Sequence, residues 1–426
     1  MVPEMHKILP RYPIGNPHRI YRQDNFILST FSARGDCMRD VIENCAEAGF
    51  NLLEMGWATH EQAEEALRLC EQLEIDILFQ DFSVFGGMQG NHLDNRVSSE
   101  TIRGVCDRLR RYRRAYGVYI FDEPYKPEQT AEARRQVDIF QKEGPSLMPF
   151  TVAIPSYNDI YRWENGRFEE YLRRYADEID PPVLSLDYYP VGLPGYNDED
   201  QLDSSRMWCD LGLMKKICRE KSLPLWFYYQ AVNLHKYPHF EFTMVRAMMY
   251  AAAMYGAKAL QQFTAVGSVI EQSGKKGPFF DDTKAIHAEF RNLGPTLMAL
   301  DSEYVFHSAE IAEKCPDYAP FADDISASAV LSAAPLPPRT SVGELKDGYG
   351  NRYLLVLNRD FEKPSEIALP LKKKSHLYKV CPHCGRQFQK DDSDVLALSL
   401  APGHAELWRV QDGDEEAYTI EYRIEK

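Results

Sequence analysis

The stretch FNLLEMG (50–56), THEQAEEALRLCEQL (59–73), IDILFQD (75–81) reads as strand, helix, strand. The two flanking segments are short apolar runs, of the length and kind that strands use. The middle segment places apolar residues at 63, 66, 67, 69, 70 and 73, close to helical spacing. Thr59 stands where a helix N-cap belongs, and Gln62 occupies the capping-box position three residues on. A helix between two buried strands is the repeating unit of a parallel α/β sheet.

The same unit recurs on both sides. Strand-like runs occur at 25–31, 117–123, 147–154, 182–188, 224–230 and 258–264. Helical patterns lie at 36–48, 98–115, 128–143, 157–178, 203–221, 240–255 and 282–299. Eight strands alternating with eight helices predict an α/β fold, a closed (β/α)8 barrel. No Gly-rich phosphate loop follows the first strand, as a dinucleotide-binding open sheet would require. Beyond residue 300 the helical periodicity stops. The runs at 353–360, 366–371, 376–380, 395–403 and 405–410 predict an antiparallel β-sandwich. The expected domains are a barrel over 1–304 and a sandwich over 305–426, with TIEYRIE (419–425) as an added edge strand.

Composition narrows the function. The formal net charge of -15 argues against nucleic acid and against an anionic membrane surface. The basic run RLRRYRR (108–114) lies in a helical pattern and reads as a solvated face. No stretch approaches the roughly 18 apolar residues of a membrane span. The N-terminus has no apolar core of a signal peptide, and the scattered thiols among nine Cys suit a reducing compartment, so a cytoplasmic protein is expected. Cys381-Pro-His-Cys384 lacks a second ligand pair downstream, so a tight hairpin turn is preferred over a zinc site. No metal or cofactor is expected.

In a parallel barrel, chemistry sits at the C-terminal ends of the strands. Those ends carry Glu54 with Trp57, Gln80-Asp81, Asp122-Glu123, Ser156-Tyr157, Asp187-Tyr188-Tyr189, Gln230 and Gln261-Gln262. Carboxylates and amides grip sugar hydroxyls, aromatic faces stack on sugar C–H surfaces, and two carboxyls can divide acid and base roles. Catalysis is assigned to Glu123 and Asp187. Substrate binding is assigned to Glu54, Trp57, Asp81, Asp122, Tyr157, Tyr188, Tyr228, Gln230 and Gln262. Asp122-Glu123-Pro124 can also be read as a capping acid before a Pro-started helix. No GxSxG elbow and no strand-end Lys occur, which disfavours serine-hydrolase and Schiff-base chemistry.

At Asp122-Glu123-Pro124, LSLDYYP (184–190) and MVRAMMYAAAMYGAKALQQFT (244–264), the chain resembles clan A glycoside hydrolases, in particular family 42 β-galactosidase-like barrels with an appended β-sandwich. The resemblance implies that Glu123, closing the fourth strand, is the general acid/base. It also implies a nucleophilic Glu closing the seventh strand, but PLWFYYQ ends there in Gln230, which cannot take that role. Asp187 is the replacement favoured, with Glu54 and Asp81 behind it. The expected partner is a carbohydrate substrate, with no nucleic acid and no membrane, and the sequence leaves room for a homo-oligomer. Two other classes stay open: a non-catalytic carbohydrate-binding barrel and a metal-dependent sugar isomerase or epimerase.

Overall fold

The computed structural model describes residues 5–31, 33, 35–56, 59–80, 96–157, 167–193 and 202–425. A strand β1 (Met5–Arg11) precedes the barrel. The barrel strands are β2 (Ile27–Thr30), β3 (Leu52–Met55), β4 (Asp76–Gln80), β5 (Ala115–Asp122), β6 (Met148–Val152), β7 (Leu184–Tyr188), β8 (Leu225–Gln230) and β9 (Ala257–Phe263). They pair in the order β6-β5-β4-β3-β2-β9-β8-β7, with every described pair parallel. A parallel bridge from Ala153 to Leu186 joins the two ends and closes the barrel.

Helices α1 (Met38–Glu47), α2 (His60–Leu73), α3 (Ser99–Leu109), α4 (Pro127–Glu143), α5 (Phe168–Ile179), α6 (Met207–Lys221), α7 (Phe242–Met254) and α8 (Phe280–Ala299) alternate with the strands. The Thr59 hydroxyl accepts from the Gln62 N–H at 3.3 Å, so α2 starts where its cap predicts. Apolar side chains fall into two shells, because strand residues alternate between the two faces. Leu53, Ile77, Val118 and Leu186 turn outward against the helices. Leu52, Leu78, Phe150 and Trp226 turn inward and fill the barrel.

The C-terminal domain is an antiparallel sandwich. Its strands are β10 (Leu300–His307), β11 (Thr340–Asp347), β12 (Arg352–Asn358), β13 (Ser365–Val380), β14 (Gln387–Leu400) and β15 (Ala405–Asp412), in the order β10-β11-β12-β15-β13-β14. The β13–β14 register breaks between Pro370 and Ser375. Beyond that break Ile367, Leu369, Leu396 and Leu398 pack against Val342, Leu354, Val356 and Trp408, so the sheet folds over its own apolar face. The first strand of this sheet starts at Leu300, directly after α8. The segments 366–371 and 376–380 form one strand. The final strand, β16 (Tyr418–Ile424), is not an edge of the sandwich sheet. It buries Ile420 and Tyr422 and pairs in parallel with β1, from Met5↔Tyr418 to Arg11↔Ile424. Gly343 of β11 brings the sandwich against the barrel, since a Cβ there would lie 2.4 Å from the Met254 side chain at the end of α7.

Candidate active site

The C-terminal end of β5 is irregular in a way that builds the site. The register against β6 shifts between Tyr119 and Phe121. The extra residue lets Tyr119 and Asp122, three apart, reach the same pocket, and the Tyr119 hydroxyl donates to Asp122 Oδ1 at 2.8 Å. Glu123 follows with φ 49°, in the left-handed region. For a residue with a Cβ that conformation costs on the order of 1–2 kcal/mol, and such outliers gather at functional sites.

Glu123, Asp122 and Asp187 line one pocket of about 280 Å³. Its walls are aromatic: Phe31, Tyr119, Tyr157, Tyr189, Tyr228 and Phe263. Phe31 stacks on Phe263 with centroids 5.4 Å apart, and the Tyr189 ring lies 4.6 Å from Phe263. Asp187 accepts from the Tyr189 hydroxyl, and its Oδ1 is buried with no hydrogen-bond partner.

Three acids in a small apolar-walled space cannot all ionise freely. Burial, then the charges of Asp187 and Asp122, hold the Glu123 carboxyl well above the usual range. Burial, then Asp122, pushes Asp187 up to about 7. Asp122 is raised to about 6 by burial, against the opposing hydrogen bond from Tyr119. A Glu that holds its proton well above the usual range, beside an Asp that ionises near neutrality, gives the site an acid and a base to offer.

Glu54 belongs to the layer beneath. It is fully buried, and its Oε1 accepts from Ser29 Oγ and Gln261 Nε2, both at 2.9 Å. Its Oε2 accepts from the Tyr228 hydroxyl. Ser185 Oγ donates to Gln261 Oε1 at 2.8 Å and extends the network across the barrel. Burial raises Glu54 to about 7 in spite of these donors.

Other predicted site residues sit elsewhere. Tyr188 packs in the outer core between strands and helices, while Tyr189, two residues beyond Asp187, takes the pocket position. Gln262 also faces outward, bound by Tyr229 and Ser268, while Gln261 faces in. The Gln230 carboxamide bonds Val191 N–H, Val191 O and Val232 O at 2.8–3.1 Å, so it ties together the loops after β7 and β8. Trp57 and Asp81 lie outside the described residues. Among the described residues no three His, Cys, Asp or Glu side chains converge as a metal would need, and no helix is long and apolar enough to cross a membrane.

No protein-family model matches the chain, and no curated protein sequence does. Solved structures do match. Gan42B, a GH42 β-galactosidase, superposes with a TM-score of 0.64 at 8% identity, covering 94% of this chain and 100% of that one. The β-galactosidase from Rahnella sp. R3 gives 0.56 at 10% identity, with the same coverage. Likeness at this identity establishes the architecture. The fold is the one sequence reading anticipates, a (β/α)8 barrel followed by an antiparallel β-sandwich.

Proposed function

We propose that the protein is a glycoside hydrolase that cleaves an O-glycosidic bond with Glu123 as general acid and Asp187 as its basic partner. The observation that carries this is the placement of Glu123, Asp122 and Asp187 in one aromatic-walled pocket at the strand ends, where burial and mutual repulsion separate their acidities. Glu123 donates its proton to the leaving glycosidic oxygen as the bond to the anomeric carbon breaks. Asp187, ionised, takes a proton from the water that attacks that carbon. Asp122 stays hydrogen-bonded to Tyr119 and keeps the local charge high, which sustains the acidity gap. The aromatic faces offer stacking surfaces for a sugar ring. No described lining residue is cationic, which favours a neutral sugar over a uronic or sialic acid.

The likeness to β-galactosidases supports this reading at the level of architecture. Turnover on a panel of aryl glycosides and neutral oligosaccharides tests it. Release of sugar that disappears in Glu123→Gln is the expected result. Binding of sugar with no turnover by the intact chain would refute hydrolysis and leave a carbohydrate-binding barrel.

A further inference from the structure

Glu123 stands just past the last rung that its strand shares with β6. The β5–β6 ladder ends at Asp122↔Val152. From Ala153 onward β6 turns to β7, with the Ala153 N–H donating to Ser185 O at 2.9 Å. Glu123 nevertheless keeps φ 49°. A strained conformation of that kind persists only where the surroundings over-determine it. Pro124, next in the chain, has no N–H with which to anchor the turn, so its carbonyl is the group it can offer.

Tyr171 of α5 takes that carbonyl. Its hydroxyl donates to Pro124 O at 3.3 Å and accepts from the Ile154 N–H at 3.0 Å. One end of this bridge is next to Glu123 in the chain, and the other is next to Pro155, which lines the pocket. A hydroxyl has one proton and spare lone pairs, and the bridge uses both kinds of valence. The two strand ends are thus joined through one oxygen where their own ladder has stopped. The ring that carries it is set. Tyr171 is buried, with the Phe168 ring at 6.1 Å and the Tyr175 ring at 6.2 Å. Tyr175, four residues on and on the same face of α5, repeats the arrangement one turn lower, where its hydroxyl meets Thr151. Thr151 lies inside the ladder, opposite Phe121, so that bond holds a stretch which backbone pairing already fixes.

On the reading of Glu123 as general acid, we propose that Tyr171 is a positioning residue for proton donation: its hydroxyl pins the Glu123–Pro124 turn to the end of β6 and so aims the Glu123 carboxyl at the leaving oxygen. A donor has to lie within about 2.6–3.2 Å of the atom it protonates. A misplacement of about 1 Å can cost about 10²-fold in rate. Tyr171 stands behind the pocket wall, in the core between strands and helices, so it reaches the sugar only through the residues it braces. Without the hydroxyl, Pro124 O and the Ile154 N–H lose their shared partner, and the Glu123 backbone is released to relax towards an ordinary conformation. The carboxyl then leaves its line to the glycosidic oxygen, while the aromatic faces that hold the ring are untouched.

The test compares Tyr171→Phe with Tyr175→Phe in the full chain, on aryl glycosides whose leaving groups run from activated to poor. Each change removes one buried hydroxyl from α5 and keeps the ring, and both variants should keep the parent far-UV circular dichroism. Tyr171→Phe should lower kcat by about 10–10²-fold on the poorest leaving group, stay within about threefold on the most activated one, and hold KM near the parent value. Tyr175→Phe should change every substrate alike or none. A loss of equal size on all leaving groups in Tyr171→Phe would overturn the proposal, as would a rise in KM with kcat unchanged. Glu123→Gln, run beside them, separates the two assignments. If it shows the leaving-group dependence and Tyr171→Phe does not, the acid stands and the brace falls. If it shows none, the acid assignment fails and the brace falls with it.

Discussion

Glu54→Gln separates the layer beneath the pocket from the pocket itself. Glu54 is fully buried and its carboxyl is raised to about 7, chiefly by burial. An unfolded Glu titrates near 4.5, so the folded chain holds this proton more tightly. The stabilisation is complete below the unfolded value and is lost as pH rises through the folded one. A shift of that size is worth roughly 3 kcal/mol in full. Most of it is lost between pH 5 and pH 9. Gln keeps an oxygen for Ser29 and Gln261 and presents its amide to the Tyr228 hydroxyl, which can accept. Glu54→Gln should therefore gain roughly 2–3 kcal/mol relative to the parent between those pH values. Urea unfolding curves at both pH values, followed by far-UV circular dichroism, measure this. Turnover should fall by less than about tenfold, well short of the loss from removing a general acid. A stability difference independent of pH would refute the assignment of a protonated Glu54. A loss of more than about a hundredfold in turnover, with the fold intact, would move Glu54 into the catalytic set.

Glu123→Gln should lower turnover by about 10²–10⁴, and less on activated aryl leaving groups, as steady-state kinetics on paired substrates will show; full activity on a poor leaving group would sink the assignment. Asp187→Asn should be nearly inactive yet still bind sugar by calorimetry, and, with Asp187 as base on the attacking water, the first anomer released by the parent, followed by proton NMR, should be inverted. In the parent, kcat/KM should rise with pH as Asp187 loses its proton near 7 and fall as the raised Glu123 carboxyl ionises, so an optimum below pH 6 would contradict the pairing. Arg359→Met should cost about 3–5 kcal/mol in urea unfolding, because Arg359 is fully buried, donates to Ser308 Oγ at 2.7 Å and pairs with Asp203, which would be left as a buried charge.

The barrel is legible because each of its strands is buried on both faces and reads as a continuous apolar run. The sandwich is less so. LDSEYVFH (300–307) and TSVGELKD (340–347) mix polar and apolar residues without a clean alternation, and they became β10 and β11 unannounced. QFQKDDSD (387–394) falls outside every strand expected from the sequence, yet it forms half of β14, held by backbone bonds to β13 over an exposed surface. The site divides in the same way. Strand-end logic finds Glu123 and Asp187. Period-two alternation, applied strictly, would have chosen Tyr189 over Tyr188, since residues 187 and 189 share a face. It would likewise have chosen Gln261 over Gln262. Tyr119 was hidden by the bulge, which breaks the alternation that would have placed it. Gln230 stands at the position where the resemblance expects a nucleophile, and only the loops it ties together give its use.

The parallel pairing of β1 with β16 has a consequence for synthesis. His6 and Thr419, which touch through their side chains, are separated by 413 positions. At about 5–20 residues per second, translation leaves β1 without its partner for roughly 20–80 seconds. Through that interval the strand offers an open edge with Met5 and Ile8 among its residues, the kind of template on which chains pair wrongly. The β1–β16 pairing therefore forms only after the whole barrel and sandwich between them have been made. That waiting edge is where a chaperone would act during synthesis.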